Sequence, residues 1–163
     1  MNSSKYIIGF TAVLTAVVAL VLSLMYTGLK EKHKQNELLF EKKAIMEAIK
    51  NDLDKDISQM SDEEVMDFFK NNIEQIVVDT KGNILDPSEV EKRGYKGGKA
   101  ENIVIKNEFK KPFEDRILPV YIYKSKNNEK IYIFKLFGKG LWDEISGFIS
   151  LKQDLNTVDG VSF

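Results

Sequence analysis

The chain has no cysteine and a single histidine. Disulfides, iron–sulfur clusters and thiol catalysis are thereby excluded for it, and one histidine without cysteine leaves no zinc constellation. The one imidazole, His33, falls in a Lys-rich segment and reads as a solvated residue. Charge of one sign is also missing. Beyond residue 29 the chain carries 23 Lys/Arg against 25 Asp/Glu, because Lys5 alone lies before that point. No basic field points to nucleic acid, and no strong acidity points to disorder. Proline occurs three times and tryptophan once. No Ser stands in a nucleophile elbow, and Gly138-Lys139-Gly140 lacks the third glycine of a dinucleotide fingerprint. No catalytic set is legible.

What is present begins with "IIGFTAVLTAVVALVLSLMYTGL", residues 7–29, which holds no charged residue. As helix it measures about 34 Å, enough to cross a hydrocarbon core of roughly 30 Å. A cleaved signal peptide would have a shorter apolar region and a small-x-small cleavage site, which "SLMYTGLKEK" does not offer. The reading is a six-residue N-terminal tail (1–6), a transmembrane helix (7–29), a helical stalk (30–60) and an α+β domain (61–163). Lys30, Lys32 and Lys34 after the span would place the domain in the cytoplasm by the positive-inside rule.

Leu39, Met46, Ile49, Leu53 and Ile57 recur at helical spacing and predict one amphipathic stalk to about Asp56. The stripe rests on the domain or, alternatively, docks a partner helix. Ser61 and Glu64 have capping-box spacing before a helix that buries Val65, Phe68 and Phe69. "IEQIVVDTKGNILD" predicts strand, turn and short strand. "PSEVEKRGYKGGKAEN", rich in glycine and charge, reads as a loose connection. "ILPVYIYKS" and "KIYIFKLFG" form a hairpin, "GFISLK" a further strand and "TVDGVSF" the start of another. The expected fold is α+β: an antiparallel sheet of at least four strands with flanking helices.

The only tryptophan, Trp142, follows a Gly-Lys-Gly corner that permits a bend. Spacing favours Trp142 filling the core where the sheet turns. The alternative is an apolar plane for a flat cofactor or a partner.

Leu118-Pro119-Val120, Gly138 to Trp142, Asp154 and Asn156-Thr157-Val158-x-Gly160 resemble, in order and spacing, the C subunit of the sodium-translocating NADH:quinone reductase. A weaker likeness is to the G subunit of the Rnf electron-transport complex. The resemblance implies an FMN-binding-type domain on the outer, periplasmic face of an inner membrane, against the lysine bias. It implies FMN held covalently through a threonine in a Ser-Gly-Ala-Thr motif, and partner subunits in a membrane complex passing electrons from NADH to a quinone, coupled to sodium export. Its corner would put Gly140, Leu141 and Trp142 against the flavin. Ser-Gly-Ala-Thr does not occur in these 163 residues. The chain is therefore expected to be an N-terminal fragment or truncated product, inactive alone, with the lipid bilayer and the other subunits as partners. A membrane-anchored sensing or binding domain without catalysis is the competing expectation, and a pilin-like structural protein a third.

Overall fold

The structure, a computed structural model, describes residues 2–163. Met1, part of the expected tail, lies outside them. The chain divides into two compact units that meet at Leu38 and Leu39 in sequence.

In the first unit the chain is helical from Asn2, so residues 2–6 of the expected tail are helix. This helix, α1 (Asn2–Glu47), contains an 18-residue window of mean hydropathy 2.6 in which nothing is buried by protein. By length and composition it can cross a membrane. Its polar side chains suit lipid. Thr11, Thr15 and Thr27 donate their hydroxyls to the carbonyls of Ile7, Thr11 and Ser23 at 2.8–2.9 Å, leaving no unpaired donor among the three.

The second unit starts on the last turns of α1 and the turn after it, where Ile45, Met46, Ala48 and Ile49 enter the core. The helix stops at Glu47, short of the expected Asp56. The apolar stripe continues, but the backbone changes to short 3-10 turns at Lys50–Asp52 and Ile57–Gln59. At the second of these turns Asp56 accepts from the Ser58 amide at 2.8 Å, an Asx turn that competes with helix. Helix α2 (Asp62–Asn72) begins with the expected capping box. Ser61 Oγ accepts from the Glu64 amide at 3.2 Å, and the Glu64 carboxylate accepts from the Ser61 amide at 2.7 Å. Val65 and Phe69 are buried, and Phe68 packs against the core partly exposed.

Five antiparallel strands follow in simple order: β1 (Ile73–Asp79), β2 (Ile117–Lys124), β3 (Lys130–Lys139), β4 (Glu144–Leu151) and β5 (Val158–Ser162). Pro119 is tolerated on central β2 because β3 pairing starts only at Val120. One face of the sheet is covered. Tyr121 meets Phe69 and Phe148 edge-on at ring distances of 6.0 and 6.2 Å. Ser150 Oγ donates to the Ala48 carbonyl at 2.5 Å, and Lys135 pairs with Glu41 at 2.6 Å.

The segment between β1 and β2 corrects the expectation of a loose connection. It contains α3 (Pro87–Lys92), 3-10 turns at Lys96–Gly98 and Ala100–Asn102, and α4 (Ile105–Glu108). Asp86 caps α3 by accepting from the Ser88 amide at 2.9 Å, with Pro87 in the first turn. Val90, Ala100, Ile103 and Ile105 are buried. A Cβ on Gly98, which has φ +63°, would strike the Pro87 backbone, so the glycine there is required by the packing. Glu108, fully buried on α4, holds the segment to the sheet. It accepts from the Tyr95 hydroxyl, from Lys111 Nζ at 2.6 Å and from the Ile117 amide at 3.0 Å.

Candidate functional site

The corner singled out by the sequence is the tip of the β3–β4 hairpin. Strand β3 runs straight through Gly138, opposite Ile145, and neither Gly138 nor Gly140 adopts a left-handed backbone. The expected bend at Gly138 is absent. Gly140 is where a side chain is excluded. Its amide donates to the Asp143 carbonyl at 2.8 Å, and a Cβ there would sit 2.8 Å from that carbonyl and from the Ile145 side chain. Asp143 then accepts from the Glu144 amide at 2.7 Å, which closes the tip.

A tip closed on itself leaves its central side chains no core to enter. Leu141 is 90% exposed and Trp142 94%. The reading of Trp142 as core is overturned: the ring projects where none of the described residues packs on it. Near the base of the same end, Phe109 packs on Phe137 with ring centroids 5.5 Å apart. The Arg116 guanidinium lies 5.0 Å from the Phe109 ring and 5.8 Å from that of Phe113. Lys106 pairs with Glu144 at 2.7 Å. This end of the sheet thus carries exposed apolar and basic groups together.

The other residues of the resemblance have structural roles here. Leu118-Pro119-Val120 lie on β2, with Pro119 and Val120 buried. Asp154 builds the β4–β5 turn, accepting from the Asn156 amide at 3.0 Å, the Thr157 amide at 2.9 Å and the Thr157 hydroxyl at 2.6 Å. The Thr157 hydroxyl and these amides hold its carboxyl down at about 2. Gly160 is glycine because a Cβ would collide with the Ala48 carbonyl at the end of α1. His33 is exposed on α1.

A flat cofactor needs a concave site that covers most of its surface. Leu141 and Trp142 offer an apolar plane, but their near-complete exposure shows that the described residues enclose nothing against them. With no Ser-Gly-Ala-Thr segment either, these residues do not form a flavin site by themselves.

Sequence reasoning missed two carboxylates. Glu108 is one. The other is Asp159 on β5, whose side chain is only 7% exposed and whose Oδ2 has no hydrogen-bond partner among the described residues. Burial, and then the nearby Asp52 carboxylate, push the Asp159 carboxyl up. Asp159 had no local signal, since Asp52 lies far along the chain; the partners of Glu108, Tyr95, Lys111 and Ile117, are near in sequence but belong to no recognisable motif.

No protein-family model matches the chain. Among curated proteins, it is 26% identical over 173 aligned positions to the C subunit of the Na(+)-translocating NADH-quinone reductase of Vibrio campbellii. It is similar to this subunit. The alignment covers 99% of the chain and 64% of that relative. The corresponding protein of Vibrio alginolyticus is 25% identical, with 99% and 63% covered. The chain thus spans somewhat under two-thirds of the length of these relatives. Among solved structures, the same reductase component from Parabacteroides distasonis superposes with a TM-score of 0.59 at 24% identity, covering 82% of this chain and 56% of that one. At that identity the superposition speaks for the α+β fold.

Proposed function

We propose that this chain supplies the membrane anchor and the first part of the extramembrane domain of the C subunit in a sodium-translocating NADH:quinone reductase. The observation that carries the reading is the extent of the likeness, which covers 99% of the chain, apolar span and five-stranded sheet included. In this reading the complex passes electrons from NADH to a quinone such as ubiquinone and exports sodium. The partners are the other membrane subunits and the bilayer. The domain stands on the periplasmic face of the inner membrane.

FMN belongs to this reading as a group attached outside these 163 residues, since the attachment motif is not among them. Gly140, Leu141 and Trp142 are assigned to one wall of its site: Gly140 keeps the tip narrow, and Leu141 and Trp142 present the apolar surface. The remaining walls come from other polypeptide. The 163 residues alone carry no covalent flavin, and intact mass one FMN higher would contradict this.

Gene disruption tests the reading. Inverted vesicles from the disrupted strain should lose sodium-stimulated NADH:quinone reduction, and the gene restored with its downstream DNA should return it. Unchanged activity would refute the assignment.

A further inference from the structure

Two carboxyls face each other where the chain leaves α1 for the domain. Asp52 ends the 3-10 turn Lys50–Asp52, and Asp159 lies on β5. The Asp159 side chain is buried, and its Oδ2 accepts no hydrogen bond from the described residues. The Asp52 carboxyl lies within hydrogen-bond reach of it. Neighbouring bonds set the two groups in place. Ser125 Oγ, in the β2–β3 turn, donates to Asp52 Oδ1 at 3.1 Å. Asn51 Nδ2 donates to the Asp159 carbonyl at 3.0 Å. At the next residue, Gly160 lies against the Ala48 carbonyl, which accepts from Ser150 Oγ at 2.5 Å. β5 is thus held to the turn after α1 at Asp159 and Gly160 in succession.

An ionised carboxylate only accepts, so two of them cannot satisfy each other. Asp159 Oδ2 needs a donor, and its charged and titratable neighbours do not supply one. Lys152, just after β4, lies 4.0 Å from the other oxygen, Oδ1, and is half exposed. Lys126, next to Ser125, pairs with Asp54. On β2, burial, and then the Asp52 charge, push the Tyr123 hydroxyl up, so it is Asp52 that this group faces. A proton held between the carboxyls is a sufficient donor: the O–H of one bonds an oxygen of the other. A hard metal ion takes about six to eight oxygens, and no third carboxylate or imidazole joins these two among the described residues.

We propose that Asp52 and Asp159 hold one proton between them and form a pH-sensitive latch, which fastens β5 to the turn after α1 and releases it as the proton is lost. β5 is the element such a latch can free. It is a five-residue edge strand with β4 as its one strand partner, and their register shifts at Ser150 and Leu151. Released, Asp159 meets water and titrates as an ordinary aspartate. Latched, it keeps its proton to higher pH, because burial and the Asp52 carboxylate oppose its charge. Opening of β5 therefore grows by up to about tenfold per pH unit between about pH 3.9 and the latched value, and levels off above it. The latch is independent of the redox reading.

The test is hydrogen–deuterium exchange of the full chain in detergent, read by peptide from about pH 4 to about pH 8, with each rate divided by the intrinsic rate at that pH. In the wild type, protection of the peptide holding residues 158–162 should fall at least about tenfold as pH rises, while β2 and β3 keep theirs. Asp52→Asn and Asp159→Asn should both abolish the fall, since an amide at either position is a permanent donor to the other; far-UV circular dichroism verifies their fold. A flat wild-type profile would overturn the latch without any variant. So would a fall that persists in either variant, or one shared equally by β2 and β3. Protection of β5 restored by calcium at fixed high pH would make the occupant a cation and overturn the shared proton.

Discussion

Replacing Glu108 by Gln should destabilise the domain strongly although the two side chains are isosteric. Oε1 of Glu108 accepts from the Tyr95 hydroxyl and Lys111 Nζ, and Oε2 accepts from the Ile117 amide. Glutamine keeps one acceptor and turns the other into a donor. If its oxygen faces Lys111, its NH2 opposes the Ile117 N–H and leaves a buried donor unpaired, at about 1–3 kcal/mol. Loss of the charge weakens the Lys111 bond by about 1 kcal/mol more, a modest figure because Lys111 is 35% exposed. The expected loss is about 2–4 kcal/mol. For a unit of this size each kcal/mol shifts Tm by about 3–6 °C, so the midpoint should fall by on the order of 10 °C. Burial pushes the Glu108 carboxyl up, but Lys111, Tyr95 and Ile117 outweigh it and hold it below the ordinary glutamate range. The stability it contributes is complete above that range, about pH 4.3, and is lost as pH falls through the folded-state value. The gap between wild type and Glu108→Gln should therefore narrow in acid. Circular dichroism melts of the full chain in detergent read this. The single Trp is useless as a reporter because it lies outside the core. A midpoint change under about 2 °C at neutral pH would refute the account of how α3 and α4 are held.

Asp159→Asn should raise stability at neutral pH or leave it unchanged, despite Lys152 at 4.0 Å. The raised Asp159 carboxyl means the folded state binds the proton more tightly than the unfolded chain. Stability accordingly falls as pH rises from the ordinary aspartate range, about 3.9, through the folded-state value. The Asn variant should lack that slope in a pH series of melts. Tyr121→Phe should be neutral or stabilising by up to about 1–3 kcal/mol, because its hydroxyl is buried with no partner among the described residues; denaturant melts measure it. Gly160→Ala should cost at least about 2 kcal/mol, since the added methyl meets the Ala48 carbonyl at the junction of α1 and β5. Trp142 fluorescence of the purified chain should be water-like and open to quenching by iodide. A blue-shifted, protected emission would contradict the exposed tip.

The parts of the fold legible in the sequence are those with local grammar. The span needs only length and absence of charge, the start of α2 only Ser61 and Glu64, and the β2–β3 hairpin only its β-branched and aromatic runs. The α3–α4 segment is hidden because it gives the core one residue at a time, Val90, Ala100, then Ile103, with no period to read. Its start signal, Asp86-Pro87, is present but reads equally as the end of a strand. The apolar stripe after Met46 has helical spacing, yet the helix ends at Glu47 and the stripe is carried on by 3-10 turns, the second of them capped by Asp56. Exposure of Trp142 depends on where the hairpin ends relative to the helices, a tertiary fact.

The most direct test of the central reading is purification of the chain, tagged at its N-terminus, from its native membranes in mild detergent. It should bring down other membrane subunits and sodium-stimulated NADH:quinone reductase activity, with Trp142 less open to iodide than in the isolated chain. Recovery of the chain alone, without that activity, would contradict the reading.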